Sequence, residues 1–183
     1  MCWHDYLGLE LGGLPARNHF DMDKEERLIS GAPLIDLIRD VLGQGSSINL
    51  IAKGFSMAPF IKDGDVLTLA PLSISAPAFG DVVAFKSSKG NKLAIHRVIK
   101  AHKDRYLMKG DSCSEPDGYI PKDDVLGLLS RINRAGKRIA FGLGPEKTLI
   151  AFLSARSLLC PLLSLMNRGF TNNSRPGDGF QTI

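Results

Sequence analysis

Three segments of the chain carry groups that could take part together in one reaction: a hydroxyl in a turn, an imidazole in a strand and carboxylates in a loop. In the first, Ser56 lies between Gly54 and Pro59. Glycine permits a sharp turn and proline fixes the exit direction of the chain, so such a turn can expose the hydroxyl and direct neighbouring N–H groups toward one point. A nucleophile beside an oxyanion hole requires this arrangement. On its own, however, a serine in a Gly/Pro turn is most often only a turn residue.

The second segment places His96 within the apolar run of residues 93–99. Strand alternation puts His96 on the face opposite Ile95 and Arg97. Histidine is the commonest general base for a serine hydroxyl. The alternative for a single strand histidine is a packed or surface side chain.

The third segment, residues 109–118, is a loop with the carboxylates of Asp111, Glu115 and Asp117. A carboxylate there could hold the imidazole of His96 in the tautomer that accepts a serine proton. The alternatives are a solvated acidic turn or a cation site, but the spacing of a calcium loop is absent. We expect neither a metal nor a cofactor.

Short β runs must position these three segments. The chain has 183 residues, 44% of them hydrophobic, with 19 Gly and 10 Pro, which favours one loop-rich, mostly β domain. Hairpin turns are predicted at Gly90-Asn91, Asp104 and Gly136. The predicted strands, rich in Val, Ile and Leu, cover residues 48–53, 66–72, 81–86, 92–101, 105–109 and 125–133.

A helix is predicted before the strands, because apolar residues from Leu34 to Leu42 recur at helical spacing and Pro33 suits the first turn. The predicted organisation is a flexible leader at 1–22, a helix at 23–45, a β domain at 46–140 and a basic, partly helical tail at 141–183.

The tail is basic, since residues 131–183 hold eight Lys/Arg and two Asp/Glu. It could contact anionic lipid or remain a solvated tail. The apolar run 148–166 approaches the length of a membrane span, but Arg156 lies at its middle and Pro161 interrupts it. We therefore predict a docked or interfacial helix rather than a span. With no secretory signal peptide expected, the predicted location is the cytoplasm or a membrane periphery.

The cysteines, Cys2, Cys113 and Cys160, are odd in number, far apart and without metal-ligand spacing. We expect inert thiols in a reducing compartment rather than a disulfide framework.

Together, these segments resemble the signal-peptidase/LexA clan of serine peptidases. They are most similar to the His-containing branch of endoplasmic-reticulum, archaeal and sporulation-type signal peptidases. The resemblance covers about residues 48–132. Its motifs, in family order, are Gly-x-Ser-Met-x-Pro at 54–59, Gly-Asp at 64–65, Gly-Asp-Val-Val at 80–83, Ile-His-Arg-Val at 95–98 and Lys-Gly-Asp at 109–111.

The resemblance implies a mainly β fold of coiled antiparallel sheets of this clan, here with an N-terminal helix and a C-terminal helical tail. It implies Ser56 as nucleophile, His96 as general base and Asp117 as the triad acid, with Asp111 supporting the loop. The N–H of Ser56 or Met57 would bind the oxyanion, in the turn that Pro59 closes. A peptide substrate would bind as an added strand.

Two features depart from that branch. The signal peptidases of that branch have a membrane anchor before the serine motif, and the segment at 34–42 is too short and too amphipathic to be one. Bulky Phe55 precedes the serine, where the family often has a small residue. The function expected is a soluble serine endopeptidase that cleaves an extended peptide or leader segment. The alternatives are a non-catalytic peptide-binding module of the same fold and a LexA-type self-cleaving regulator. His96 in place of a lysine base and the lack of a helix-turn-helix domain oppose the regulator, and we expect no nucleic-acid partner.

Overall fold

A curled antiparallel sheet of half-barrel shape, flanked by two helices, makes up the part of the chain that the computed structural model describes, residues 31–73, 76–87 and 92–159. The expected mainly β class is therefore confirmed. The helices are α1 Ala32–Gly43 and α2 Lys147–Ala155, with a 3-10 helix at Lys122–Asp124. The strands are β1 Ile48–Ile51, β2 Val66–Ala70, β3 Val82–Ser87, β4 Lys92–Ala101, β5 Arg105–Lys109, β6 Gly118–Pro121, β7 Val125–Arg134 and β8 Lys137–Ile139.

Strand β7 joins the two parts of the sheet. The described strands follow the order β1-β2-β7-β3-β4-β5-β6, and β8 pairs with β7 outside this path. The pairings along the path are antiparallel. One part is thus the β1–β2 hairpin, and the other is the meander from β3 to β6.

Strands β4 and β5 have the bounds that the sequence predicts. Strand β6 was not predicted, since it is only four residues long and is bounded by Gly118 and Pro121, both poor strand formers. The turn around Gly136 is a β7–β8 hairpin with Gly136 at φ 77°. The Gly90-Asn91 turn and the leader at 1–22 lie outside the described residues.

Helix α1 packs its apolar stripe on one face of the sheet. Its buried residues join a core cluster with side chains from β1, β2, β3, β4 and β7. Each large apolar side chain buried this way contributes roughly 1.5–3 kcal/mol. Gly127 permits the close approach, because a Cβ there would lie 2.6 Å from Leu42 Cδ1. The buried helix residues are Leu34, Ile35, Ile38 and Leu42.

Helix α2 packs near β4 of the same sheet. Ile150 packs with Phe60 and Leu159 in a small apolar cluster, and Lys147 Nζ lies 2.5 Å from Asp81 Oδ1. Within the described residues, no helix is both long enough and apolar enough to cross a membrane. The segment at 148–166 is helical to Ala155, and its residues from 160 onward lie outside the description.

Candidate active site

The serine turn follows β1 and is held by its own backbone. Gly54 adopts φ 88°, a conformation that favours glycine, and its N–H donates to Asp63 Oδ1 at 2.7 Å. The N–H of Ala58 donates to the carbonyl of Phe55, and that of Ile61 to the carbonyl of Met57, both at 3.0 Å. The turn therefore presents Ser56 at its tip.

An ion pair between a buried carboxylate and a partly exposed arginine fixes the far end of this turn. Asp65 is buried and accepts hydrogen bonds from the N–H of Lys62 at 2.8 Å and from the guanidinium of Arg134 at 2.7 Å. Arg134 also donates to the carbonyl of Phe60 at 3.0 Å. Strand β7, which carries Arg134, thus positions a turn that begins more than 60 residues earlier. The pairing with Asp65 raises the pKa of Arg134.

His96, in the middle of β4, contacts Ser56 on one side and Asp117 on the other. His96 Nε2 lies 3.0 Å from Ser56 Oγ, and His96 Nδ1 lies 2.5 Å from Asp117 Oδ2. An ionised carboxylate can only accept, so Nδ1 carries the proton and Nε2 is left to accept from the serine hydroxyl. The side chains of His96 and Asp117 are 11% and 30% exposed. In space, the imidazole lies between the hydroxyl and the carboxylate and contacts both, as in a Ser-His-Asp triad.

The acidic loop is bonded directly to the serine turn. The N–H of Ser112 donates to the carbonyl of Ser56 at 2.9 Å, and Ser112 Oγ donates to the carbonyl of Phe55 at 2.5 Å. At the other end of the loop, the N–H of Asp117 donates to the carbonyl of Met108 at 2.9 Å. The loop that carries Asp117 therefore also holds the backbone of Ser56.

Gly110 allows this approach. A Cβ at Gly110 would lie 2.8 Å from the carbonyl oxygen of Ser56 and 3.2 Å from His96 Nε2, closer than real Cβ atoms usually come. Neither Gly110 nor Ser112 was singled out individually from the sequence. The Lys-Gly-Asp motif contained a signal for Gly110, but Ser112 resembles any polar loop residue.

Asp111 supports the loop from the other face of the sheet. It accepts hydrogen bonds from Arg97 Nε at 2.9 Å and Arg97 Nη2 at 2.7 Å, with both side chains fully buried. Arg97 Nη1 donates to the carbonyls of Gly80 at 2.8 Å and Gly142 at 2.9 Å. Burial raises the pKa of Asp111, and the bonds from Arg97 oppose that shift. Glu115 is exposed.

Met57 and Pro59 lie in the same turn as Ser56. Met57 is buried, whereas Pro59 is exposed and follows a cis peptide bond. Phe55 is 71% exposed immediately before the serine. The residues predicted as nucleophile, base, acid and oxyanion turn are thus close together in space.

The expectation of a free thiol at Cys113 is wrong, because this buried cysteine is disulfide-bonded. Folding can bring together cysteines that are far apart in sequence, so their spacing does not predict whether they form a disulfide. The expected thiols of Cys2 and Cys160 lie outside the described residues. Among those that are described, no group of three or more His, Cys, Asp or Glu is placed to hold a metal ion.

No protein-family model matches the chain, and no curated protein matches it significantly.

Proposed function

We propose that the protein is a serine endopeptidase of signal-peptidase-like type, which cleaves an extended peptide or leader segment. The observation that carries the proposal is the relay from Ser56 Oγ to His96 Nε2 at 3.0 Å and from His96 Nδ1 to Asp117 Oδ2 at 2.5 Å. The curled antiparallel sheet is compatible with the coiled sheets of the signal-peptidase/LexA clan, and membership of that clan is part of the proposal.

In the proposed reaction, Ser56 Oγ attacks the carbonyl carbon of a peptide bond while His96 Nε2 takes its proton. Asp117 stabilises the imidazolium that forms. The backbone N–H of Ser56 or Met57 donates to the oxyanion. His96 then gives the proton to the leaving amine, and water hydrolyses the acyl-enzyme by the same route in reverse. Asp111 takes no proton in this scheme, since its carboxylate is bound to Arg97.

The sheet edge suggests how a substrate binds. Strand β1 is at one end of the strand order, so its outer edge pairs with no other described strand. An extended peptide could add there as a further strand and run directly into the turn that holds Ser56. Backbone hydrogen bonds would then supply affinity with little dependence on sequence. The exposed ring of Phe55 would contact substrate near the scissile bond.

A serine-reactive phosphonate probe tests the proposal. We expect one covalent label on Ser56, identified by mass spectrometry, that is lost in Ser56→Ala and in His96→Ala. Ser130→Ala is the matched control, because Ser130 is an exposed strand serine whose hydroxyl bonds only the carbonyl of Thr68 among the described residues. The label on Ser56 should persist in this variant. A peptide-library cleavage profile should show products with wild type and none with Ser56→Ala.

An unlabelled wild type with no cleavage products would overturn the peptidase proposal. Retained binding of an extended peptide would then favour the non-catalytic module of the same fold. Intact mass on incubation separates a self-cleaving regulator, which would lose its full-length species in wild type and keep it in Ser56→Ala.

We also propose that the C-terminal part of the protein touches anionic membrane surfaces. Leu149 and Phe152 are 61% and 48% exposed on α2, and Arg156 lies 4.9 Å over the Phe152 ring. This pairing of apolar side chains with a cation suits an anionic headgroup layer. Of the cations in and before α2, Arg134 and Lys147 are already paired with carboxylates.

Flotation with vesicles of anionic lipid should recover the protein at low salt and release it at high salt. Phe152→Ser with Leu149→Ser should abolish flotation, whereas the same change at exposed Tyr119 of β6 should leave it intact. Wild-type protein that stays with the soluble fraction at low salt would overturn membrane contact.

A further inference from the structure

Helix α2 ends in a conformation that favours glycine, but the residue there is a serine. The N–H of Ser157 donates to the carbonyl of Ser154, and the N–H of Leu158 to the carbonyl of Leu153, both at 3.0 Å. This is the Schellman ending, whose left-handed residue is usually glycine. Ser157 has φ 55°, so its Cβ is held in a backbone region that disfavours side chains. Glycine would avoid this strain but has no hydroxyl, so the contacts of the Ser157 hydroxyl are the place to look for the reason that serine is there.

The hydroxyl of Ser157 meets a buried lysine of the candidate active site. Lys109, the last residue of β5, is buried, and its Nζ donates to the carbonyl of Ser154 at 2.6 Å and to Ser157 Oγ at 2.9 Å. A buried ammonium needs such acceptors to offset its loss of water. The carbonyl end of a helix also attracts a positive charge. The end of α2 therefore fixes the residue that immediately precedes Gly110.

The same hydroxyl also reaches the loop that carries the triad acid. Lysine offers no acceptor, so the proton of Ser157 Oγ remains available to the carbonyl of Ser114, which lies 3.4 Å away. Ser114 lies between Ser112, which bonds the serine turn, and Asp117, which bonds His96. Ser157 thus contacts both the beginning and the middle of the acidic loop.

We propose that Ser157 and Lys109 are positioning residues, which couple the end of α2 to the loop that orients His96. The inference rests on the proposed peptidase function. On this proposal, the backbone strain at Ser157 is retained because the Ser157 hydroxyl keeps Asp117 within bonding distance of His96 Nδ1. The edge of β1 is not involved, so the contact acts on the rate of the chemical step rather than on substrate binding.

The principal test compares Ser157→Gly with Ser157→Asn. Glycine removes the hydroxyl and the backbone strain together, so we expect a Tm within about 4 °C of wild type. We expect kcat to fall about tenfold with KM within about twofold, since a small misplacement of catalytic groups lowers the chemical rate. Asparagine tolerates the left-handed conformation and offers an oxygen to Lys109, so it should recover most of kcat.

Ala135→Gly is the matched control. Ala135 is the other non-glycine residue with positive φ in the described ranges, at φ 48° in the exposed β7–β8 turn. Its replacement relieves similar strain away from the loop and should leave kcat unchanged. Lys109→Met, which keeps an apolar stem, should lower kcat about as much as Ser157→Gly does. Wild-type kcat in Ser157→Gly would overturn the proposal and leave Ser157 as a helix cap alone.

Amide hydrogen exchange separates this proposal from the peptidase function. The N–H groups of Ser112 and Asp117 should exchange at least about fivefold faster in Ser157→Gly than in Ala135→Gly, because they hold the two ends of the loop. This measurement needs no catalysis. An inactive wild type would contradict the proposed function, and the exchange result would then decide the coupling by itself. Unchanged exchange in Ser157→Gly would overturn the coupling whatever the activity.

Discussion

The two faces of strand β4 carry adjacent residues with opposite surroundings. His96 faces a partly open site, with its side chain 11% exposed and both ring nitrogens bonded to groups that can exchange protons. Arg97 faces a closed layer beneath α2, fully buried and bonded to Asp111 and to two backbone carbonyls. A residue that must change its protonation state needs access to water, and a residue that must hold loops in place does not.

The closed face explains how the open face keeps its geometry. Arg97 links the carbonyls of Gly80 and Gly142 to the acidic loop through Asp111. A buried ion pair contributes little net stability against apolar residues of equal volume, but breaking it leaves a charge without a partner. The Arg97–Asp111 pair therefore acts mainly by fixing one arrangement of these loops.

The largest expected effect is on the open face. Ser56→Ala or His96→Ala should lower kcat for a cleaved peptide by at least about 10³-fold, because each removes a member of the triad. The free energy of unfolding should change little in Ser56→Ala. Ser130→Ala should retain wild-type kcat, and undiminished turnover in Ser56→Ala would break the assignment of chemistry to this face.

The next effect is on the closed face. Arg97→Met should lower the free energy of unfolding by about 3–5 kcal/mol, since Asp111 loses its buried partner. Urea unfolding measures this change. The control is Arg105→Met, whose guanidinium lies 4.0 Å from exposed Asp104 and whose loss should cost at most about 1 kcal/mol. If Arg97→Met and Arg105→Met lose similar free energies of unfolding, the buried pair does not stabilise the closed face more than an exposed pair would.

A smaller effect should follow from pH. Cleavage by wild type should be faster at about pH 8 than at about pH 5, because only neutral imidazole accepts the serine proton. His96→Lys should not restore activity, since a lysine base needs a desolvating pocket of its own. A pH profile that is flat in this range, under conditions where chemistry limits the rate, would contradict His96 as the base.

The smallest effect concerns Glu146, before α2. Its own backbone N–H, and then those of Gly142 and Gly144, hold the pKa of Glu146 below its ordinary value. A lowered carboxyl pKa stabilises the fold above the unfolded-state pKa of about 4.3, and the stabilisation is lost as pH falls through the folded value. Glu146→Gln should therefore lower Tm slightly at pH 7, with the difference disappearing toward pH 3. An equal difference at both values would contradict this origin.

Much of the site could be predicted because its residues lie in short local motifs. Ser56 in a Gly/Pro turn, His96 in an alternating strand and the acidic loop each leave a local pattern, whereas the choice of Asp117 within that loop came from the family resemblance. The structure brings the three side chains together. The contributions of Gly110, Ser112 and Ser157 depend on contacts between distant segments, which local patterns do not contain. The disulfide at Cys113 was missed for the same reason, whereas β6 was missed because it is short and bounded by Gly118 and Pro121.

The central position of β7 has a consequence for how the site forms during synthesis. Among the described strands, only β7 hydrogen-bonds both the β1–β2 hairpin, whose connecting segment contains Ser56, and the meander that positions His96 and Asp117. A nascent chain that has not yet released residues 125–134 from the ribosome lacks the strand that joins these two parts. Such non-local pairing forms late and slowly. The order of translation itself would delay any proteolytic activity until the sheet is nearly complete.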